Sequence, residues 1–380
     1  MLVIPFADGI GDFINMQPLL PVIRARFPEA EITVAVSEHG NLLCNDPAIR
    51  TLKPASFNHE PGKAAVNLRW LLPQTVLAWF AGPLFDYELG PFDLVINCFF
   101  AWERAMDFRS TWTPQFPPVA DANTVHSLDC LADELERELQ VAIPSEARKP
   151  HLVLRAPAQE WAAQLLREHD LLDDRPLVAL VPGTNMVIKR WPLAHWLELD
   201  ARLRAARPDV RTLLFCDRPL ERSSVAAAFA AAGSPAVPVY ASLDRVAALL
   251  ARCNLTVSVD TGLLHMAGAL DVPWVGLFGP TNPEVTGPYD PSRGEALIAP
   301  FRKEPRCGSC WKQAFKYEDD RCRTLEVGSC MDKLTVNPVL TAALRALRMP
   351  ARVDRQPGRD HNILMTPAVV PPIISPAMGF

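Results

Sequence analysis

A carboxylate, a hydroxyl, a glycine and an imidazole fall within six positions of the stretch "NLTVSVDTGLLHMAGAL" (254–270): Asp260, Thr261, Gly262 and His265. The apolar run "LTVSV" (255–259) reads as a strand, with Asp260 at its carboxyl end. Thr261 and Gly262 open the next helix, where unpaired backbone N–H groups and the positive end of the dipole suit a diphosphate. Gly262 would let a ligand come close to the backbone. His265 follows Thr261 by four residues and shares its helical face. The plainer alternative is a capping aspartate and a satisfied core histidine.

Two more strand ends carry comparable residues. In "VPGTNMVIKRWP" (181–192) a glycine loop leads from a strand to a helix, with Pro192 near the first helical position. Thr184 and Lys189 would face the same cleft, and lysine is a compact cation suited to a leaving phosphate. "FADGIGDF" (6–13) places Gly9, Gly11 and Asp12 after the first strand. A dinucleotide fingerprint would need a third glycine where Ile14 stands, with Glu38 as the ribose acid. A P-loop pattern is absent. Otherwise the glycines make a tight turn that projects Asp12 into the cleft as a general base, or the turn merely caps a helix. A further turn-rich loop, "FGPTNPEVTGPY" (278–289), lies at the same sheet edge as Asp260.

The elements that must position these residues alternate between short apolar runs and amphipathic stretches. "LVIPF" (2–6), "EITVAV" (31–36) and "FDLVINCFF" (92–100) read as strands, with a helical stretch running to Phe27. The pattern restarts with "LVALV" (177–181), "PLAHWLELDARLRAA" (192–206), "RTLLFC" (211–216), "SLDRVAALLARC" (242–253) and "VPWVGLF" (272–278). Such alternation predicts parallel sheets covered by helices on both faces. A chain of 380 residues exceeds one ordinary core. We read a domain over 1–170, a second over 175–349, and a proline-rich tail over 350–380, with the turn-rich "IPSEARKP" at the boundary.

Hydrophobic content of 49% and charged content of 21% fit a soluble globular protein, and a net charge of −5 argues against nucleic acid as the partner. The start "MLVIPFADGIGDF" lacks the basic region of a signal peptide. The apolar stretch "WLLPQTVLAWFAGPLF" (70–85) is shorter than the roughly 20 residues of a membrane span and holds two prolines. It reads as a buried helix or as a face touching a membrane surface.

Of nine cysteines, Cys44, Cys98, Cys130, Cys216 and Cys253 are scattered and read as small hydrophobes in a reducing compartment. Cys307, Cys310, Cys322 and Cys330 form C-x2-C-x11-C-x7-C. Four thiolates so spaced suit a structural zinc or iron site. Reduced buried cysteines or disulfides are the alternatives. None of the four belongs to a strand end bearing the polar residues, so their expected role is structural.

Taken together, "GIGDFINMQPLLPVIRARFPEAEI", "VPGTNMVIKRWP" and "VDTGLLHMAGALDVPWVGLFGPTNPEVTGPY" resemble glycosyltransferase family 9, which contains the heptosyltransferases of the lipopolysaccharide inner core. The blocks occur in the family's order and touch both halves, while residues 40–175 match only the general pattern. Gly268 stands where alanine is commoner.

The resemblance implies a GT-B fold, two Rossmann-like domains facing a cleft, with the acceptor in the first and the donor in the second. It implies an inverting, metal-independent transfer of a heptose or related sugar from an ADP-type nucleotide sugar, with no cofactor for catalysis. The absence of any Asp-x-Asp pair agrees. Asp12 would be the base, and Gly11, Thr184, Lys189, Asp260, Thr261, Gly262 and His265 would hold the donor. The acceptor would be a lipopolysaccharide core sugar, or a protein as in the autotransporter heptosyltransferases, some of which carry a four-cysteine iron site. A non-catalytic nucleotide-sugar-binding protein is the third reading. The expected setting is the cytoplasm, with peripheral contact at the inner face of the membrane.

Overall fold

The runs "LVALV" and "LTVSV" are buried along their whole length, as β5 (Leu177–Val181) and β8 (Leu255–Val259), and they pair as parallel neighbours. A strand covered on both faces needs apolar side chains at every position, and both have them but for Thr256 and Ser258. The structure, a computed structural model, describes residues 2–4, 9–35, 50–52, 95–97, 125–300, 322 and 329–348. The tail 350–380, the apolar stretch 70–85, Glu38, Cys44, Cys98, Cys307 and Cys310 lie outside the described residues.

The first sheet holds β1 (Leu2–Ile4), β2 (Thr33–Ala35), β3 (Arg50–Leu52) and β4 (Val95–Asn97), all parallel, in the order β3-β2-β1-β4. Between its first two strands come α1 (Ile10–Met16) and α2 (Leu19–Arg26). The single helical stretch expected here is two helices, because Pro18 cannot donate into the first and instead caps the second. Two helices link the sheets, α3 (Ser127–Leu139) and α4 (Ala156–Glu168).

The second sheet adds β6 (Arg211–Phe215), β7 (Val237–Val239), β9 (Trp274–Phe278) and β10 (Gly294–Ile298) to the central pair. Its order is β10-β9-β8-β5-β6-β7, all parallel. The connecting helices are α5 (Leu193–Ala206), α6 (Ser224–Ala231), α7 (Leu243–Leu250), α8 (Gly262–Ala269) and the short α9 (Pro283–Thr286). α10 (Val336–Ala346) closes the described chain. The chain runs outward from β5 to β7, then returns to the other side of β5 for β8. That reversal between β5 and β8 is where an open parallel sheet leaves a ligand crevice at its carboxyl edge.

Alternation along β5 splits the core. Val178 and Leu180 pack with Trp196 of α5 and Val339 of α10, whereas Leu177, Ala179 and Val181 pack with α4, α7 and α8. Phe13 and Ile14 of α1 belong to that second core together with Met266 and Ala267, so α1 is sealed onto α8 by apolar contact. Although α4 falls before residue 170, it packs against α7 of the second sheet. No helix among the described residues is long and apolar enough to cross a membrane.

Candidate functional site

Residues that follow β5, β8 and β9 meet at one edge of the second sheet. Asp260 follows β8 directly, and Thr261 caps α8 without a side-chain bond to the first turn, where Leu264 N donates to the Thr261 carbonyl at 3.0 Å and the Gly262 and Leu263 N–H groups have no side-chain acceptor among the described residues. The loop after β5 carries buried Thr184, whose Oγ1 accepts from Met186 N at 3.4 Å. It then forms a 3-10 turn, Val187–Lys189, that aims Lys189 across the sheet edge.

Lys189 Nζ donates to Asp260 Oδ2 at 2.7 Å. Thr281 Oγ1, from the loop after β9, donates to the same oxygen at 2.7 Å and is itself buried. Burial alone would raise the Asp260 carboxyl, but the Lys189 ammonium, the nearby His265 and the two hydrogen bonds outweigh it and hold Asp260 below the usual carboxylate range. The site is therefore an ionised carboxylate neutralised by one ammonium, beside the positive end of α8. An incoming diphosphate meets a charge-balanced pair rather than a bare cation.

His265 sits one turn into α8 and is buried. Burial is the main reason its pKa falls to about 4, with Asp260 opposing and His126 and Lys189 adding to the fall. Its Nδ1 has no hydrogen-bond partner. Its ring lies against α1: a Cβ on Gly11 would stand 2.6 Å from His265 Cδ2. Likewise a Cβ on Gly262 would stand 2.6 Å from Ile10 Cβ. The room left by both glycines is thus taken by the opposite helix, not by a ligand, which corrects the reason given above for Gly262. Gly268 has a similar cause, since a Cβ there would meet Pro288 Cβ at 2.8 Å. Asp12 lies in α1, between Gly11 and Phe13, but its side chain is outside the described residues.

A second set of polar contacts fastens α3 and the segment after it to the loop after α9. His126 Nδ1 accepts from Leu128 N at 3.1 Å, so the proton is on Nε2, which donates to the Gly287 carbonyl at 3.0 Å. Tyr289 Oη donates to Asp129 Oδ1 at 2.8 Å, and Arg148 joins Asp129, Asp133 and Glu136. Lys149 reaches Asp271 and Asp290. A crevice bordered by Lys149, Tyr289 and Asp290, with Asn15 and His265, holds about 10 Å³, roughly the room of one water.

The lysine, the aspartate and the helix start are brought together, with Thr184 in the same loop as Lys189. Thr281 was missed, although its loop was singled out; its signal was a threonine in a turn following a buried strand. Of the cysteine quartet, Cys330 is buried and Cys322 is half-buried, while their two partners lie outside the described residues. Among the described residues no three His, Cys, Asp or Glu side chains are grouped to hold a metal.

Residues 124–309 match the sequence model of glycosyltransferase family 9 (heptosyltransferase). Lipopolysaccharide heptosyltransferase 1 of Pseudomonas aeruginosa is 38% identical over 149 residues, 38% of this chain and 40% of the relative. Lipopolysaccharide heptosyltransferase 2 of Salmonella typhimurium is 27% identical over 318 residues, 77% of this chain and 87% of the relative. In three dimensions the E. coli ADP-heptose lipopolysaccharide heptosyltransferase II superposes with a TM-score of 0.62 at 20% identity, covering 91% of this chain and 98% of that one. The two-sheet α/β architecture is that of the GT-B heptosyltransferases.

Proposed function

We propose that this chain, a member of glycosyltransferase family 9, moves a heptose from an ADP-linked donor to a sugar of the lipopolysaccharide core, with inversion and without a metal in the reaction. The observation that carries the reading is the Lys189–Asp260 pair at 2.7 Å, set at the β5/β8 reversal beside the start of α8, whose cap residue makes no side-chain bond to the first turn. The name of the superposed E. coli enzyme, an ADP-heptose transferase, supports the choice of donor.

In the proposed step Asp12 accepts the proton of the acceptor hydroxyl. The freed oxygen bonds to the anomeric carbon as the bond from that carbon to the diphosphate oxygen breaks. One displacement inverts the configuration. The departing diphosphate gathers negative charge, met by Lys189 and the first-turn N–H groups of α8. Asp260 and Thr281 hold the lysine in place before the donor arrives, so its orientation is set in advance.

The test is a transfer assay with ADP-heptose and heptose-free lipopolysaccharide in EDTA. ADP release together with an inverted anomeric linkage is expected. Transfer that requires added magnesium, or ADP release only with a protein acceptor, would replace this reading.

A further inference from the structure

The Lys189 and Thr281 loops share a support. Trp191, two residues beyond Lys189, is 3% exposed, and its indole Nε1–H donates to the Leu334 carbonyl at 2.7 Å. Leu334 ends the 3-10 turn Cys330–Lys333, which opens on a reciprocal capping box between Ser329 and Asp332. This turn packs against the Val187–Lys189 turn. Gly279, two residues before Thr281, rests on its other side. A Cβ on Gly279 would stand 2.6 Å from Met331 Sδ and 2.8 Å from Cys330 Sγ. Met331 is fully buried, in one core with Trp191 and Leu334. The segment bearing the fourth clustered cysteine is therefore wedged between the two loops whose residues grip Asp260 Oδ2.

We propose that Trp191 and the turn Cys330–Lys333 form a strut that positions the Lys189–Asp260–Thr281 cluster, so that this segment sets donor affinity as well as stability. The inference rests on the donor-site reading above. Trp191 and Met331 touch no substrate and are positioning residues. Loss of the indole N–H leaves the Leu334 carbonyl without its donor in a buried place, which frees the Lys189 turn to shift. A displaced ammonium no longer meets the diphosphate where its charge collects. The strut also revises the expectation that the cysteine cluster, remote in sequence from the strand ends, is purely structural: Cys330 touches the Thr281 loop.

The test is a double-mutant cycle on ADP affinity by calorimetry, with parent, Trp191→Phe, Lys189→Ala and the double variant. Trp191→Phe keeps an aromatic ring beside Trp196, whose centroid is 5.0 Å away, and removes the N–H donor together with the second ring of the indole. The ADP Kd should rise about three- to tenfold, what one hydrogen bond of ordinary net strength converts to. The same change should add nothing once Lys189 is alanine, because the strut acts through that lysine. Additive losses, or parent-like affinity in Trp191→Phe, would overturn the strut while leaving the donor site standing. A parent protein that does not bind ADP removes the donor-site reading itself. Should Trp191→Phe fail to fold, Gly279→Ala presses on the same turn without deleting a bond, and the same coupling to Lys189→Ala is expected of it.

Discussion

Lys189 and Asp260 lie 71 residues apart in the chain and meet at 2.7 Å. Each could be singled out in sequence because it follows an apolar run and precedes a helix start. That they neutralise each other could not, because an ion pair between separate strand ends depends on which strands are neighbours. His265 is similar: its place one turn into α8 was legible, but its packing on Gly11 of α1 was not.

Two residue-scale tests follow from these placements. In Asp12→Asn, turnover should drop by about 10²-fold or more with donor affinity nearly unchanged, read by steady-state kinetics beside ADP calorimetry. Turnover within a few-fold of the parent would take Asp12 out of the mechanism. The second test concerns acid stability. An unfolded histidine takes up its proton near pH 6.5, but His265 in the fold does so only near 4. As pH falls through that window the unfolded chain binds the proton first, so stability drops, by up to about 3 kcal/mol for a shift of this size. His126, also depressed by burial, contributes with the same sign, and Asp260 adds a further loss below the ordinary carboxylate range. His265→Gln should therefore flatten part of the fall in melting temperature between pH 6.5 and 4. A slope equal to the parent's would mean that His265 is protonated in the fold.

At the scale of elements, the second half was the more legible. β5 and β8 have the bounds their apolar runs suggest, since a strand buried on both faces ends where the apolar run ends. β9 starts at Trp274, two residues later than the run, because Pro273 has no N–H for the ladder. The crossing of α1 over α8 left no local trace beyond two glycines, which sequence reasoning assigned to a ligand. That crossing can be probed directly. Gly262→Ala places a methyl 2.6 Å from Ile10 Cβ and 3.3 Å from Gly11 N, and the second is backbone that cannot swing aside. Overpacking of this kind costs about 1–3 kcal/mol, so the melting temperature should fall by several degrees, with α1 displaced. An unchanged melting temperature would show that the helices are not in contact there.

For the whole molecule, the restart of the strand–helix alternation made two doubly wound sheets legible, and two are found among the described residues. The long-range ties between them were not: the Tyr289–Asp129 and His126–Gly287 bonds join partners 160 and 161 residues apart. The cysteine quartet also belongs to this scale, because its spacing predicts one zinc or iron per chain. Elemental analysis of protein purified without chelators should find it, and Cys310→Ser should lower the melting temperature. Absence of both metals, with four freely titrating thiols, would leave ordinary reduced cysteines.

The central claim is that the Lys189–Asp260 strand ends bind an ADP-linked heptose. Its most direct test is the melting temperature of parent and Lys189→Ala across ADP-, UDP- and GDP-sugars, in EDTA. With ADP-heptose at about 100 times its Kd, the parent should gain about 2.7 kcal/mol of stability by mass action. The gain should be selective for the ADP sugar and largely lost in Lys189→Ala. A parent indifferent to ADP-heptose, or a Lys189→Ala variant stabilised as fully as the parent, would contradict the assignment.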